Sequence, residues 1–168
     1  MKEIRPPADP LVGWRYWQLS ADARGLRSVS LRRFLWEPQR PMRASCMTGG
    51  HQAPAEGCDC GIYAAADLDK LRSHGLCLSP GGLVVGQVSL WGAVVVGEDG
   101  YRGQHALPRT LSLVEGTVPR ESRSLALESL AAFHVPVSTT RLDDAVGELS
   151  GAVLANLVMS LGTGATPG

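Results

Sequence analysis

The clearest pattern of hydrophobic and polar positions lies in the middle of the chain, in residues 83–96. Every even position in this run is apolar or glycine, whereas the odd positions include Gln87 and Ser89. Successive side chains of a strand point to opposite faces, so the pattern predicts a strand with one face in the core. Because the run is longer than a typical strand, we expect a bulge or a sharp bend at Gly92.

Shorter strands are predicted on both sides of this run, from segments that alternate or are rich in aromatic residues. They cover residues 13–19, 26–31 and 61–65 before the run, and residues 101–107 and 110–114 after it. The sequence Gly97-Glu-Asp-Gly100 is typical of a hairpin turn. These segments together predict a sheet as the core of the protein.

Helical periodicity replaces this alternation in the last third of the chain. A helix is predicted over residues 119–133, where Pro119 suits the first turn. Thr140 and Asp143 resemble a capping box at the start of a second helix. A brief helix over residues 68–74 is also predicted, with Asp67 as its N-cap.

These elements predict an α+β protein: a small bent β-sheet or partly open β-barrel with a zinc-stapled loop and C-terminal helices. The β-rich zinc-binding domain is expected to span residues 11–116, and the helical segment packed on it residues 117–162. Residues 1–10, which contain several prolines, are expected to form a flexible lead-in, and residues 163–168 a disordered tail. A chain of 168 residues is long enough for one domain with a substantial core.

The last predicted helix is apolar over more than half of its circumference. The apolar positions are Leu149, Val153, Leu154, Leu157, Val158 and Leu161. A surface helix of a monomer needs a single apolar stripe, so the second face predicts a homodimer through residues 149–161. In the alternative interpretation the helix ends near Gly151 and the remainder is disordered or folds into a groove of the same chain.

The candidate chemistry is concentrated in residues 46–60, which hold three of the four cysteines and one of the four histidines. Cys46, His51, Cys58 and Cys60 give the spacing C-x4-H-x6-C-x-C. Glycine and proline separate them, so hydrophobic burial contributes little to this loop. Three cysteines and a histidine are a standard ligand set of structural, tetrahedral zinc. The sequence therefore predicts a zinc ion as a structural cofactor, because four protein ligands leave no open position for water.

Other interpretations of the cysteines stay open. An iron–sulfur cluster, a redox pair or a disulfide could include Cys77, and the thiols could also be unrelated and buried. Cys58 and Cys60 depart from the usual C-x2-C spacing. Residues i and i+2 of an extended segment share a face, however, which allows both thiols to reach one ion.

Charge is unevenly distributed, although the formal net charge of the chain is zero. Residues 1–50 hold nine Lys/Arg against four Asp/Glu. A candidate basic aromatic face in this segment consists of Trp14, Arg15, Trp17, Arg27 and Arg33. We expect a non-enzymatic binding or regulatory module that presents this face to a protein partner. The alternative is a protein that binds single-stranded nucleic acid by stacking bases on the aromatic rings; burial of those rings in a core would argue against it.

Glu98, Arg102 and His105 give a third interpretation, a hydrolase-type enzyme that uses residues on and after the hairpin. Charged hairpin tips are usually solvated, and the spacing specifies no nucleophile with its base, so catalysis is not favoured. The chain begins without a secretory signal, and its longest apolar run is too short to cross a bilayer. These features predict a cytoplasmic protein with reduced thiols and no membrane partner.

Three short patterns resemble a group of short, uncharacterised proteins of high-GC bacteria. The patterns are Gly13-Trp-Arg-x-Trp, Cys58-x-Cys60-Gly-Ile-Tyr63, and Gly86-x-Val-x-Leu-Trp-Gly-x-Val-Val95 followed by Gly100-Tyr-Arg. The resemblance covers roughly residues 13–114. It implies that the cysteine loop and the long strand belong to one structural unit, and it implies no activity.

Overall fold

The computed structural model describes residues 3–5, 9–20, 25–29, 34–73 and 82–146. Its strands are β1 (Glu3–Arg5), β2 (Leu11–Leu19), β3 (Leu26–Ser28), β4 (Leu35–Trp36), β5 (Met42–Arg43), β6 (Ile62–Ala65), β7 (Leu83–Val96), β8 (Gly100–Pro108), β9 (Leu111–Val114) and β10 (Val137–Thr140). Its helices are α1 (Leu68–Ser73), α2 (Arg123–Ala131), which follows a 3-10 turn at Arg120–Ser122, and α3 (Leu142–Val146).

Four strands close into a small barrel. β2 pairs with β7, β7 with β8, β8 with β6, and β6 with β2, and every pairing is antiparallel. The closing contact between β6 and β2 is a single pair, Trp14 opposite Ala65. Gly13 permits this close approach, because a Cβ atom at residue 13 would lie 2.6 Å from the Cβ of Ala64. The predicted β-rich fold with a barrel and a few helices is therefore confirmed.

The long strand β7 spans the predicted residues and bends where expected. Its register with β8 shifts between Trp91 and Val94, and Gly92 has a φ of +74°. A positive φ is costly for residues other than glycine, so Gly92 allows the bulge that bends the strand. Because β7 pairs with β2 and β9 before the bend and with β1 after it, one strand joins most of the sheet.

The side chains of β2 separate two hydrophobic clusters. Trp17 is fully buried in the larger cluster, which collects residues from all four barrel strands, and its ring meets that of Trp36 edge to face at 5.6 Å. Tyr16 points to the opposite face and packs in a smaller cluster with residues of α1 and α3. The Tyr16 hydroxyl donates to the carbonyl of Ala145, and burial raises the pKa of Tyr16 to about 12. α1 and α3 thus pack on the outer face of the barrel sheet, whereas α2 joins the larger cluster through Ala126 and Leu130.

Several expected boundaries differ from the structure. The helix predicted from Pro119 begins as a 3-10 turn and becomes α-helical only at Arg123. The capping box at Thr140 is wrong, because Thr140 ends β10 opposite Val114 and α3 begins at Leu142. The predicted cap of α1 is confirmed by a 2.8 Å hydrogen bond from the Lys70 amide to the Asp67 carboxylate.

The structure describes only part of the two ends of the chain. The lead-in expected at residues 1–10 contains β1, which pairs with Val94–Val96. Arg33, Cys77, the helix predicted at residues 149–161 with its homodimer, and the tail at residues 163–168 lie outside the described residues. Within the described part of the chain, no helix has the length and apolar character needed to cross a membrane.

Gly86 supports a testable prediction about strand packing. A Cβ atom at this position would lie 1.9 Å from the carbonyl oxygen of Thr110, which is backbone and cannot rotate away. We expect Gly86→Ala to lower the free energy of unfolding by roughly 1–3 kcal/mol or more, as overpacked cores do. Gly49→Ala is the control: its Cβ would meet open space, so only the positive φ of +72° opposes it. Chemical denaturation measures both variants, and equal stability losses would contradict the packing argument.

Candidate metal centre

The cysteine loop, residues 44–61, is fixed at its base by one strand. β5 enters the loop and pairs with β8 at Arg43 and His105, while β6 leaves it and pairs with β8 at Ile62 and Gly103. The two ends of the loop are therefore held side by side on β8. Inside the loop only Ala53 and Pro54 are buried, so its own hydrophobic core is very small.

The structure brings all four predicted ligands together. One ligand atom each from Cys46, His51, Cys58 and Cys60 lies within 4.8 Å of all the others. The Sγ atoms of Cys46 and Cys58 are 3.7 Å apart, and Nε2 of His51 is 3.4 Å from Sγ of Cys60. Bonds of about 2.3 Å to sulfur in a tetrahedron place two thiolates about 3.7 Å apart. The four side chains are therefore close enough to hold a metal ion, with about 1 Å of closure at the widest pair.

Gly61 sets the position of the cysteines relative to β8. Its φ is +124°, and a Cβ atom would lie 3.0 Å from the Cβ of Arg102. A side chain at this position would thus be strained by the backbone and crowded by Arg102. Glycine next to Cys60 lets the chain turn from the ligand pair directly into β6.

Arg102 binds the backbone of Cys58 and Cys60. Its side chain is 6% exposed, and Nη1 donates to the carbonyls of Cys58 and Cys60, the latter at 2.6 Å. The guanidinium also lies 5.9 Å from the ring centroid of Tyr63, whose hydroxyl donates to the Asp59 carbonyl. Among the described residues no carboxylate pairs with Arg102. A buried cation has therefore been placed beside a group of thiols.

Local hydrogen bonds make the thiols unequal. The Thr48 side chain, 3.0 Å from Sγ of Cys46, is the main cause that lowers the pKa of Cys46 to about 6. Burial is the main cause that raises the pKa of Cys60, and a hydrogen bond with the Cys58 thiol raises it further. Metals bind thiolates, so metal binding must release the proton of Cys60.

The candidate basic aromatic face does not form a row on the surface of the described residues. Trp17 is fully buried in the barrel, so its ring cannot stack on a base, and Trp14 is partly buried against the smaller cluster. Arg15 turns inward, with Cζ 4.8 Å from the ring centroid of Trp36. Arg27, partly buried on β3, is the remaining described member. The stacking hypothesis therefore loses its central residue.

A cavity of about 380 Å³ lies beside the cysteine loop. Its lining outside the loop includes Arg15, Ser28, Phe34, Trp36, Met42 and Arg43. The loop contributes the other wall through residues 44–48 and 58–61, and Tyr63 extends it on β6. The pattern of the sequence did not reveal Phe34, Trp36 or Met42, because they lie in or beside two-residue strands that prolines separate. Only their apolar character could have suggested a site.

The hairpin residues do not assemble into a catalytic group. No described hydrogen bond or ion pair joins Glu98, Arg102 and His105 to one another. His105 stacks on Trp91 with a centroid distance of 5.8 Å, and Arg102 donates to the backbone of the cysteine loop. These contacts give Arg102 and His105 structural roles.

Comparisons of the chain with protein-family models, curated proteins and solved structures found no match. Function is therefore inferred from the geometry of the site.

Proposed function

We propose that this protein is a non-enzymatic binding module stabilised by a structural zinc ion on Cys46, His51, Cys58 and Cys60. The observation that carries the proposal is the convergence of these four ligand atoms within 4.8 Å. Three thiolates and an imidazole match the preference of zinc for sulfur and nitrogen ligands in a closed tetrahedron. With all four positions taken by side chains, the ion has no site for an activated water, which favours a structural role.

The charge of the site also supports zinc. Three thiolates and a neutral histidine around Zn²⁺ leave a net charge of −1. This charge compensates the buried guanidinium of Arg102, which has no carboxylate partner among the described residues. The Sγ atoms of Cys46 and Cys58 are 3.7 Å apart, so a disulfide between them would need only a small movement. It would leave the charge of Arg102 uncompensated, however, and burying an unpaired charge is costly.

Zinc binding would organise the cavity, because the cysteine loop forms one of its walls. The loop has almost no buried side chains, so an ion that links both of its halves would fix the shape of that wall. The binding surface we propose is this cavity, with Arg15 and Trp36 in place of the exposed row expected from the sequence.

Metal content tests the proposal directly. Native mass spectrometry and elemental analysis of the full chain are expected to find one zinc per chain. Cys60→Ser should reduce the zinc content at least tenfold, because it removes one of four ligands. Cys77→Ser is the matched control and should keep full zinc content. Loss of metal in Cys77→Ser, or iron in place of zinc, would contradict the proposed ligand set.

A further inference from the structure

Arg15 is a partly buried charged side chain that lines the cavity. Its Nη1 donates to the carbonyl of Tyr63 at 2.9 Å, and Nη2 lies 3.5 Å from Oγ of Ser28. The guanidinium also lies over the rings of Trp36 and Trp17, at 4.8 and 5.6 Å from their centroids. These contacts hold the group in place, but all of them are to neutral partners.

The positive charge of Arg15 lacks a counter-charge. No carboxylate among the described residues pairs with it, and its buried Nε has no hydrogen-bond partner there. Burial lowers the pKa of Arg15 to about 10, so the group is still charged at neutral pH. A desolvated cation is stable only when an anion or a full set of acceptors compensates it. The wall of the cavity therefore presents a positive charge without its partner.

The rest of the lining restricts the chemistry of that partner. Phe34, Trp36, Met42 and Ile62 supply apolar and aromatic surface, which favours a flat apolar body. The volume of about 380 Å³ lies within the range of small-molecule sites, which is about 300–1,000 Å³. Arg43 and Asp59 also line the cavity with opposite charges, and Arg102 offsets the negative charge of the proposed zinc centre, so the net positive charge at Arg15 favours a singly charged anion.

We propose that this cavity binds a small organic monocarboxylate with a flat apolar body, and that Arg15 binds the carboxylate. The ring system of the ligand lies against Trp36, Phe34 and Met42. The carboxylate accepts hydrogen bonds from the guanidinium and supplies the missing counter-charge. This inference rests on the proposed binding function, because the zinc-bound loop forms the second wall.

The test uses the full chain loaded with zinc, and 2-naphthoate as the probe. Isothermal titration calorimetry is expected to show saturable binding, and the Arg15 Nε–H signal in ¹⁵N-correlated NMR spectra should shift. The neutral analogue 2-naphthalenemethanol should bind at least tenfold more weakly, because charge-assisted hydrogen bonds are about twice as strong as neutral ones. Inorganic phosphate should not compete. Phosphate that binds as tightly as naphthoate would show a simple anion site and overturn the proposal.

Variants separate the role of Arg15 from a structural one. Arg15→Met keeps much of the side-chain volume without the charge, and is expected to weaken naphthoate binding at least tenfold. Arg109→Met is the control, because Arg109 is exposed and does not line the cavity. Met42→Trp fills the cavity while Arg15 is unchanged, and should also abolish binding. If Arg15→Met does not fold, the pair of ligands and Met42→Trp decide the question.

Two further results would overturn the inference: no naphthoate binding at millimolar concentration, or equal binding by wild type and Arg15→Met. Zinc content measured on the same samples keeps this outcome apart from the proposed function. A chain that holds one zinc but no naphthoate contradicts only the ligand, whereas a chain without zinc contradicts the metal-stabilised module.

Discussion

Removing zinc from the full chain is expected to lower its melting temperature by roughly 10 °C. An ion that binds only the native state stabilises it by about 4 kcal/mol when its free concentration is about 1,000 times Kd. In a chain of this length each kcal/mol changes the melting temperature by about 2–4 °C. The effect arises because the loop has only Ala53 and Pro54 to bury without the ion. Thermal unfolding with and without a chelator measures the change.

The loss of stability after zinc removal is expected to be concentrated in the cysteine loop. Amide hydrogen exchange should increase in residues 46–61 after chelation and change much less in β7, which belongs to the barrel. Zinc added back should restore both protection and melting temperature, whereas magnesium should not, because thiolates bind it poorly. A stoichiometric zinc whose removal changes neither measurement would contradict a structural role.

The parts of the fold predicted correctly are those with local causes. β7 was predicted with its limits because alternation continues through the whole strand, and the bend at Gly92 because a strand of that length requires one. Closure of the barrel is harder to predict from the sequence. It depends on the pairing of Trp14 with Ala65, which are about fifty residues apart, and on the close approach at Gly13. No local pattern carries that information.

The ligand set was also accessible from the sequence, because all four residues lie in one short loop with a recognisable spacing. The binding face was not. In Trp14-Arg-Tyr-Trp17 each face of β2 carries a tryptophan, so the sequence does not show which face is buried in the barrel. In the structure the Trp17 face packs in the larger cluster and the Tyr16 face packs against α1 and α3, which leaves Arg15 directed toward Trp36. Only the packed neighbours decide between these orientations.

Thr140 and Arg102 also have long-range partners that the local sequence pattern does not show. Thr140-Arg-Leu-Asp143 satisfies the pattern of a capping box, but parallel pairing with β9 extends β10 to Thr140 and delays the helix. Arg102 follows a charged hairpin tip, where a solvated side chain is the usual expectation. Its partners, the carbonyls of Cys58 and Cys60, are more than forty residues away in the sequence. Long-range acceptors of this kind leave no trace in local periodicity.

Replacing Arg102 is expected to weaken the metal centre without touching a ligand. Arg102→Met removes the donor to the partly buried carbonyls of Cys58 and Cys60; a fully buried acceptor left without a partner costs about 1–3 kcal/mol, and each of these costs less than that. It also removes the positive charge that compensates the proposed Zn(Cys)3His centre. Outer-shell partners of metal ligands typically contribute a factor of about 10–100 to affinity. We therefore expect zinc affinity to fall about 10–100-fold.

Two control variants show whether charge or hydrogen bonding is responsible. Arg102→Lys keeps the charge but lacks the planar guanidinium that serves both carbonyls, so we expect an intermediate zinc affinity. Arg40→Met removes an exposed arginine paired with Glu37 and should change stability by no more than about 1 kcal/mol. Competition with a chromophoric chelator gives the zinc affinity, and thermal unfolding gives the stability. If Arg102→Lys matches wild type, charge compensation dominates; if it matches Arg102→Met, the two carbonyl bonds dominate. Unchanged zinc affinity in Arg102→Met would mean that the buried guanidinium serves only the packing of β8 against the loop.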